Sequence, residues 1–418
     1  MTIKRIKYTL ILTLGAILMT TNANAQLLVN VDSVYNNKIK TIETRLFPFG
    51  EPSLLLINNS NERLSISFDD MNAQAENYGY SLKLCNADWS DSQLSKFDYI
   101  DGFIENDIES YTYSLKTVTE YVHYEIRLPN NSVKFKIAGN YLLTVFNLDN
   151  KELLFTKRIV VCNNDVNIST HVTKVKPKNS SKALQVINVS AEYAEEIINT
   201  LTETYSATIV KNNNWNDAIY GVPLNIVGDN RLFASDDIHF TSNNEFRQFD
   251  IESLNTRGEN VQSTLFSLNK HYARLEIDTP SNYTDYVFKE DKNGWFTIKN
   301  NQKKGADVTS EYIEVAFTLL ANKELSYGKV YVTGLFNQWK TVDKMTYDER
   351  IQAYTATLNL KQGTYNYSYG LKTNDGFNPY FFEGNMIETN NEYFVVIYKN
   401  DIANNYDEVI GMATINPQ

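Results

Sequence analysis

Apolar and polar residues alternate with period two in one short run after another, and this alternation limits most strongly what the chain can fold into. Arg63 to Phe68, Tyr80 to Cys85, Tyr121 to Leu128, Val133 to Ile137, Tyr141 to Phe146 and Leu153 to Val161 all show it. In Tyr80-Ser81-Leu82-Lys83-Leu84-Cys85, an extended backbone puts every second side chain on the same face, ready for burial. Asn, Asp, Gly or Pro bounds each run and ends the extension. Tyr at 28 and Phe at 21, beside 8 Pro, supply aromatic surface that fits pleated, half-buried sheets. The expectation is an all-β protein built of antiparallel β-sandwich domains. One stretch departs from it: Ala191 to Thr202, AEYAEEIINTLT, fits a short acidic helix as well as an extended strand and turn.

Residues 1 to 25 read as a signal peptide. Lys4, Arg5 and Lys7 open it, Tyr8 to Met19 is apolar, and Ala23-Asn24-Ala25 gives an A-x-A cleavage site before Gln26. The apolar run is shorter than the ~20 residues needed to cross a bilayer. No cysteine follows it to carry a lipid. The expected product is an exported, periplasmic protein with no membrane insertion; a transmembrane barrel is disfavoured by polar residues on both faces of most strands.

Three units are expected in tandem. Residues 26–165 end where Val160-Val161-Cys162 meets Asn163-Asn164-Asp165; residues 166–304 close at NNQKKG; residues 305–418 hold YGKVYVTGLFNQWK, YTATLNLKQGTYNYSYGLK and EYFVVIYK. Cys85 and Cys162 fall in strands of the first unit, where either a disulfide or two buried thiols would fit.

The charge balance, 39 Lys plus Arg against 50 Asp plus Glu, opposes a nucleic-acid partner, which calls for basic patches. His123, His171, His239 and His271 are scattered without metal-ligand spacing. Asp88, Asp91, Asp98 and Asp101 match no calcium loop and are interleaved with aromatics. No nucleophile elbow, P-loop or dinucleotide fingerprint is present where a strand-to-helix turn could use it. The chain is therefore read as non-enzymatic, with no cofactor, no metal and no small-molecule ligand.

The stretch after Cys85 carries Asn86, Asp88, Ser90, Asp91 and Ser92, which favour turns, together with Trp89, Leu94, Phe97, Tyr99, Ile100 and Phe103. It reads as a long ordered loop folded over a sheet, aromatics beneath and aspartates outward. Trp89, Asp91, Phe97, Asp98, Tyr99, Asp101 and Phe103 are the candidate contact residues for a partner; the alternative is a loop that merely covers its own sheet.

The run from Cys85 to Asn106, with HYEIRLPNNSVKFKIAGNYLLTVF (His123 to Phe146), resembles the first domain of the type IX secretion system plug proteins of Bacteroidota. The resemblance continues through Asn244 to Ile251 and Leu360 to Gly370, so it spans nearly the whole chain after the signal peptide. It implies a plug that binds the giant outer-membrane β-barrel translocon and occludes its periplasmic opening. Val330 to Trp339 with Leu360 to Tyr369 also resembles early-set sandwich modules that bind α-glucans. That likeness implies Trp339 as a sugar platform, and a carbohydrate-binding accessory protein as the alternative function. The competing reading packs the indole against its own sheet. The expected units are accordingly immunoglobulin-like or early-set-like sandwiches.

Overall fold

The computed structural model describes residues 30–58, 60–177, 183–193, 202–228, 230–234 and 238–415. The expected signal peptide lies outside these residues. So does most of Ala191 to Thr202, whose first three residues finish the strand Leu184–Tyr193. The protein is all-β, with mostly antiparallel sheets. No described helix is long and apolar enough to cross a membrane.

The period-two reading shows directly in Val122–Leu128: Val122, Tyr124, Ile126 and Leu128 are buried, while His123 and Glu125, half-buried, and Arg127, exposed, lie on the opposite face. This strand sits between Arg63–Asp70 and Ser110–Tyr113 in a five-stranded sheet that begins with Glu51–Pro52 and Ile39–Phe47. A second sheet runs Ser33–Val34, Leu153–Cys162, Gly139–Asn147, Tyr78–Cys85, Glu105–Asp107. The N-terminal core, including Phe68, Tyr78, Tyr124, Tyr141 and Phe155, lies between them. Leu153–Cys162 is buried on both faces: Phe155, Ile159 and Val161 join that core, and Val160 and Cys162 join a different apolar cluster.

The joint expected near residue 305 does not separate two cores. Glu203–Lys211 pairs along its full length with Tyr393–Asp401, which pairs with Tyr406–Ile415. The end of the chain thus returns to complete a central core with Val166, Ile187, Ile209 and Leu232. This sheet curls until its two ends meet: Asp165 N–H donates to Ile410 O at 2.6 Å, and a Cβ on Gly411 would lie 2.4 Å from Val166 Cγ2. Residues from Phe246 to Phe382 form a third core between two five-stranded sheets, inserted between strands of the central one. A local pattern marks each strand, but backbone hydrogen bonds to a partner some 190 residues away leave no local trace.

Two seams fix the N-terminal core to the rest. On one, Trp89, Leu142, Val160 and Cys162 pack against Val210, Trp215, Phe394 and Val396, which come from the segments that carry the central core but join this separate cluster. Trp89 and Trp215 meet edge to face at 5.2 Å, and the Arg158 guanidinium lies 4.7 Å over the Trp89 ring. On the other, Asp69 is wholly buried and its carboxylate takes Lys361 Nζ at 2.5 Å, Tyr312 Oη at 2.7 Å and His123 Nδ1 at 2.7 Å. Lys361 and Tyr312 belong to the inserted core's sheet, so this seam is ionic where the first is apolar.

Candidate interaction surfaces

The loop after Tyr78–Cys85 is rigid because its own side chains satisfy its backbone. Asp88 Oδ1 accepts from Ser90 N–H at 2.9 Å, and Asn86 N–H reaches Ser90 O at 2.9 Å. Trp89 adopts a left-handed φ of 66°, which turns its indole inward onto Trp215. Asp91 binds Lys83 Nζ at 2.8 Å and Asn30 Nδ2 at 2.5 Å, and these hydrogen bonds hold its carboxyl below the usual aspartate range. Asp98 Oδ2 accepts from Ser95 N–H at 3.0 Å, closing a capping box on the single turn Lys96–Tyr99. Tyr99 points inward to Tyr141. Gly102 has no alternative: at φ 129°, a Cβ would fall 1.9 Å from Ser132 O.

The structure therefore divides the seven candidate contact residues. Trp89 and Tyr99 are buried and belong to seam and core. Asp91, Phe97, Asp98, Asp101 and Phe103 are exposed. The expectation that the loop's aromatics lie beneath it fails for two of them: Phe97 is 67% exposed and Phe103 71%. Elsewhere in the N-terminal core, Ser110–Tyr113 is an edge strand with Tyr111 and Tyr113 exposed. Unpaired backbone and aromatic side chains together make an adhesive edge.

A second apolar surface was not read from the sequence. The hairpin Val261–Ser267 and Lys270–Leu275 presents Leu265, Phe266 and Leu268, the last 90% exposed. Nearby in sequence, Tyr283, Val287 and Phe288 are also exposed. The signal was three large apolar side chains within four positions at a hairpin tip, where turn chemistry calls for polar residues.

Trp339 is 4% exposed. Its ring centroid lies 5.7 Å from Phe246 and 6.2 Å from Tyr380, and Gly294 presses so close that a Cβ there would be 2.6 Å from the indole. The ring has no open face on which a sugar could stack. Cys85 and Cys162 are both buried, free thiols; burial pushes Cys85 up to about 11 and Cys162 up to about 12. Among the described residues no three His, Cys, Asp or Glu side chains are grouped to hold a metal. Arg247, which could have served an anion, is instead occupied by Asp278 at 2.7 Å and Glu383 at 2.9 Å.

Comparison with known proteins adds a family to this geometry. Residues 39–163 match the family model described as type 9 secretion system plug protein 1st domain. That segment belongs to the plug-protein first-domain family. It contains most of the N-terminal core and all seven candidate contact residues. Over the longer chain, a hypothetical protein from Parabacteroides merdae ATCC 43184, known by crystal structure, is 27% identical with a TM-score of 0.86. The match covers 92% of this chain and 99% of that one. The inserted core and the returning C-terminal hairpin thus fall within a fold seen by crystallography. The C-terminal domain of the Streptococcus agalactiae AgI/II polypeptide BspA, at 6% identity over 90% of this chain and 100% of that one, has a TM-score of 0.15 and carries no argument. Among curated proteins, none matches.

Proposed function

We propose that this protein is a non-enzymatic plug that binds the giant outer-membrane β-barrel translocon of the type IX secretion system and occludes its periplasmic opening. The carrying observation is the plug-protein first domain at residues 39–163, which associates the chain with type 9 secretion. Physical features support the reading. A body that fills a pore must resist deformation, and here core-like seams lock the N-terminal core to both others. Reversible docking favours interfaces of moderate size with a polar rim, and Phe97 and Phe103 set among Asp91, Asp98 and Asp101 offer such a surface. The proposal includes export to the periplasm after removal of residues 1–25, and cores of immunoglobulin-like or early-set-like sandwich type. The sugar-binding alternative has no support from Trp339, whose indole is enclosed.

The test is co-purification of the tagged protein with the translocon from solubilised outer membranes. The double variant Phe97→Ser with Phe103→Ser should reduce recovery while changing stability by less than ~0.5 kcal/mol, since both rings are exposed. Deleting the protein should raise permeability to large solutes in strains that hold the translocon. An impermeable deletion strain together with absence of the barrel from the purified complex would refute the plug reading.

A further inference from the structure

The N-terminal core is open along one side, where the chain changes sheets. Glu105–Asp107 ends the sheet that contains Tyr78–Cys85, and the chain then crosses to form Ser110–Tyr113 in the opposite sheet. That strand pairs with Val122–Leu128 only as far as Glu125, whereas Ile126, Arg127 and Leu128 run on beside Arg63–Asp70. The gap left is a groove of about 520 Å³ with the buried side chains of Tyr80, Ile108 and Ile126 beneath it.

One bank of the groove is a strand edge with unused backbone. Ile108 N–H donates to Tyr78 O at 2.8 Å, so in this antiparallel register Asn106 directs its backbone groups at Tyr80 while Glu105 and Asp107 turn theirs away from the sheet. Among the described residues those two N–H groups have no hydrogen-bond partner. The charged side chains are nearly all of one sign: Glu105, Asp107, Glu109 and Glu125 line the groove against a single cation, Arg127. Arg127 is committed to Glu125 at 2.8 Å, and Glu105 meets Lys151 at 3.1 Å on the exposed surface. Asp107 and Glu109 are exposed and have no ion pair among the described residues.

We propose that this edge takes up an extended, basic segment of a partner polypeptide as an added strand. The outward N–H and C=O groups of Glu105 and Asp107 can pair with any extended backbone. Charge then selects among backbones. Glu105 and Asp107 are exposed while Asn106 between them is buried, so every second side chain of an added strand lies beside the two acids. Lys or Arg at those positions meets carboxylates, and the residues between them turn toward Tyr80 and Ile126 and are apolar. A second copy is disfavoured at this edge, because it would set the same carboxylates against each other in a chain of net charge −11. Phe103, which also lines the groove, is the one residue shared with the proposed translocon surface, and the strand pairing stands whether or not the protein is a plug.

The experiment titrates the purified chain with a labelled, N-acetylated and C-terminally amidated peptide, Gly-Lys-Val-Lys-Val-Lys-Val-Gly, and with its counterpart holding Glu in place of Lys. The basic peptide should bind saturably, and the acidic one at least about tenfold more weakly. In an added strand only alternate N–H groups face the edge, so N-methylating every Lys and N-methylating every Val should give affinities that differ by at least about tenfold. Asp107→Lys combined with Glu109→Lys should weaken the basic peptide at least about tenfold, with an unchanged melting midpoint because both side chains are exposed. In the wild-type chain, amide exchange at Glu105 and Asp107 should slow when the basic peptide saturates, a readout that serves if the double variant fails to fold. No saturable binding up to about 1 mM, wild-type affinity in the folded double variant, or unchanged exchange at both amides would overturn the proposal. Equal affinities of the two methylated peptides would overturn it too, by assigning binding to charge alone.

Discussion

The two seams that hold the N-terminal core solve one problem with opposite chemistry. Toward the central core the join is a continuous apolar layer around Trp89 and Trp215, with Arg158 across both rings. Toward the inserted core it is a wholly buried carboxylate, Asp69, ringed by Lys361, His123 and Tyr312. Apolar burial is non-directional and scales with area, so the first seam can lose a contact and partly relax. The ionic seam is directional, and its charges left water on the condition that each finds the other. The lesson is that the apolar seam contributes adhesion while the ionic one contributes position.

The sharpest way to break the comparison is Lys361→Met. It keeps the volume but leaves Asp69 buried without its cation, and breaking such a pair costs about 3 to 5 kcal/mol. Urea unfolding at pH 7 should show a loss in that range; a loss under ~1 kcal/mol would mean water reaches Asp69 and the seams do not differ as described. Trp215→Ala should cost about 3 kcal/mol, the low end for a buried indole, because the seam can close over the gap. Its cost should hardly vary with pH.

A smaller effect separates the seams by acid. Burial alone would raise the Asp69 carboxyl, but Lys361 and His123 together hold it below the usual aspartate range. A lowered folded value means stability that is present above the unfolded pKa and is lost as pH falls through the folded one. In Lys361→Met the same carboxyl has lost its cation, so protonation relieves the variant. The gap between wild type and Lys361→Met should therefore narrow from pH 6 to about pH 3, while the Trp215→Ala gap should stay constant. A parallel gap for both variants would break the distinction.

Much of the molecule was legible before its structure. Strands such as Tyr78–Cys85 and Val122–Leu128 follow their period-two runs to within two residues, and the turn after Cys85 was marked by its Asn, Asp and Ser. The candidate contact loop was legible as a place but not as a surface. Trp89 and Phe97 look alike in sequence, yet one closes a seam and the other faces solvent, because burial depends on what arrives opposite. For Trp89 that is Trp215, 126 positions later. The hairpin-tip apolar residues Leu265, Phe266 and Leu268 were readable in principle, since a turn has no local use for them.

By itself the sequence determined the class of structure: alternation sets which face of each strand is apolar, a property of neighbouring residues that no tertiary contact can change. Only the tertiary structure decided that Tyr393–Ile415 completes the central core and not the inserted one, that Trp339 is enclosed, and that Lys361 reaches Asp69 across 292 positions. Those outcomes rest on strand partners and buried charge pairs chosen among many local equals. The choice is made by the summed free energy of the assembled body, which no short stretch of chain contains.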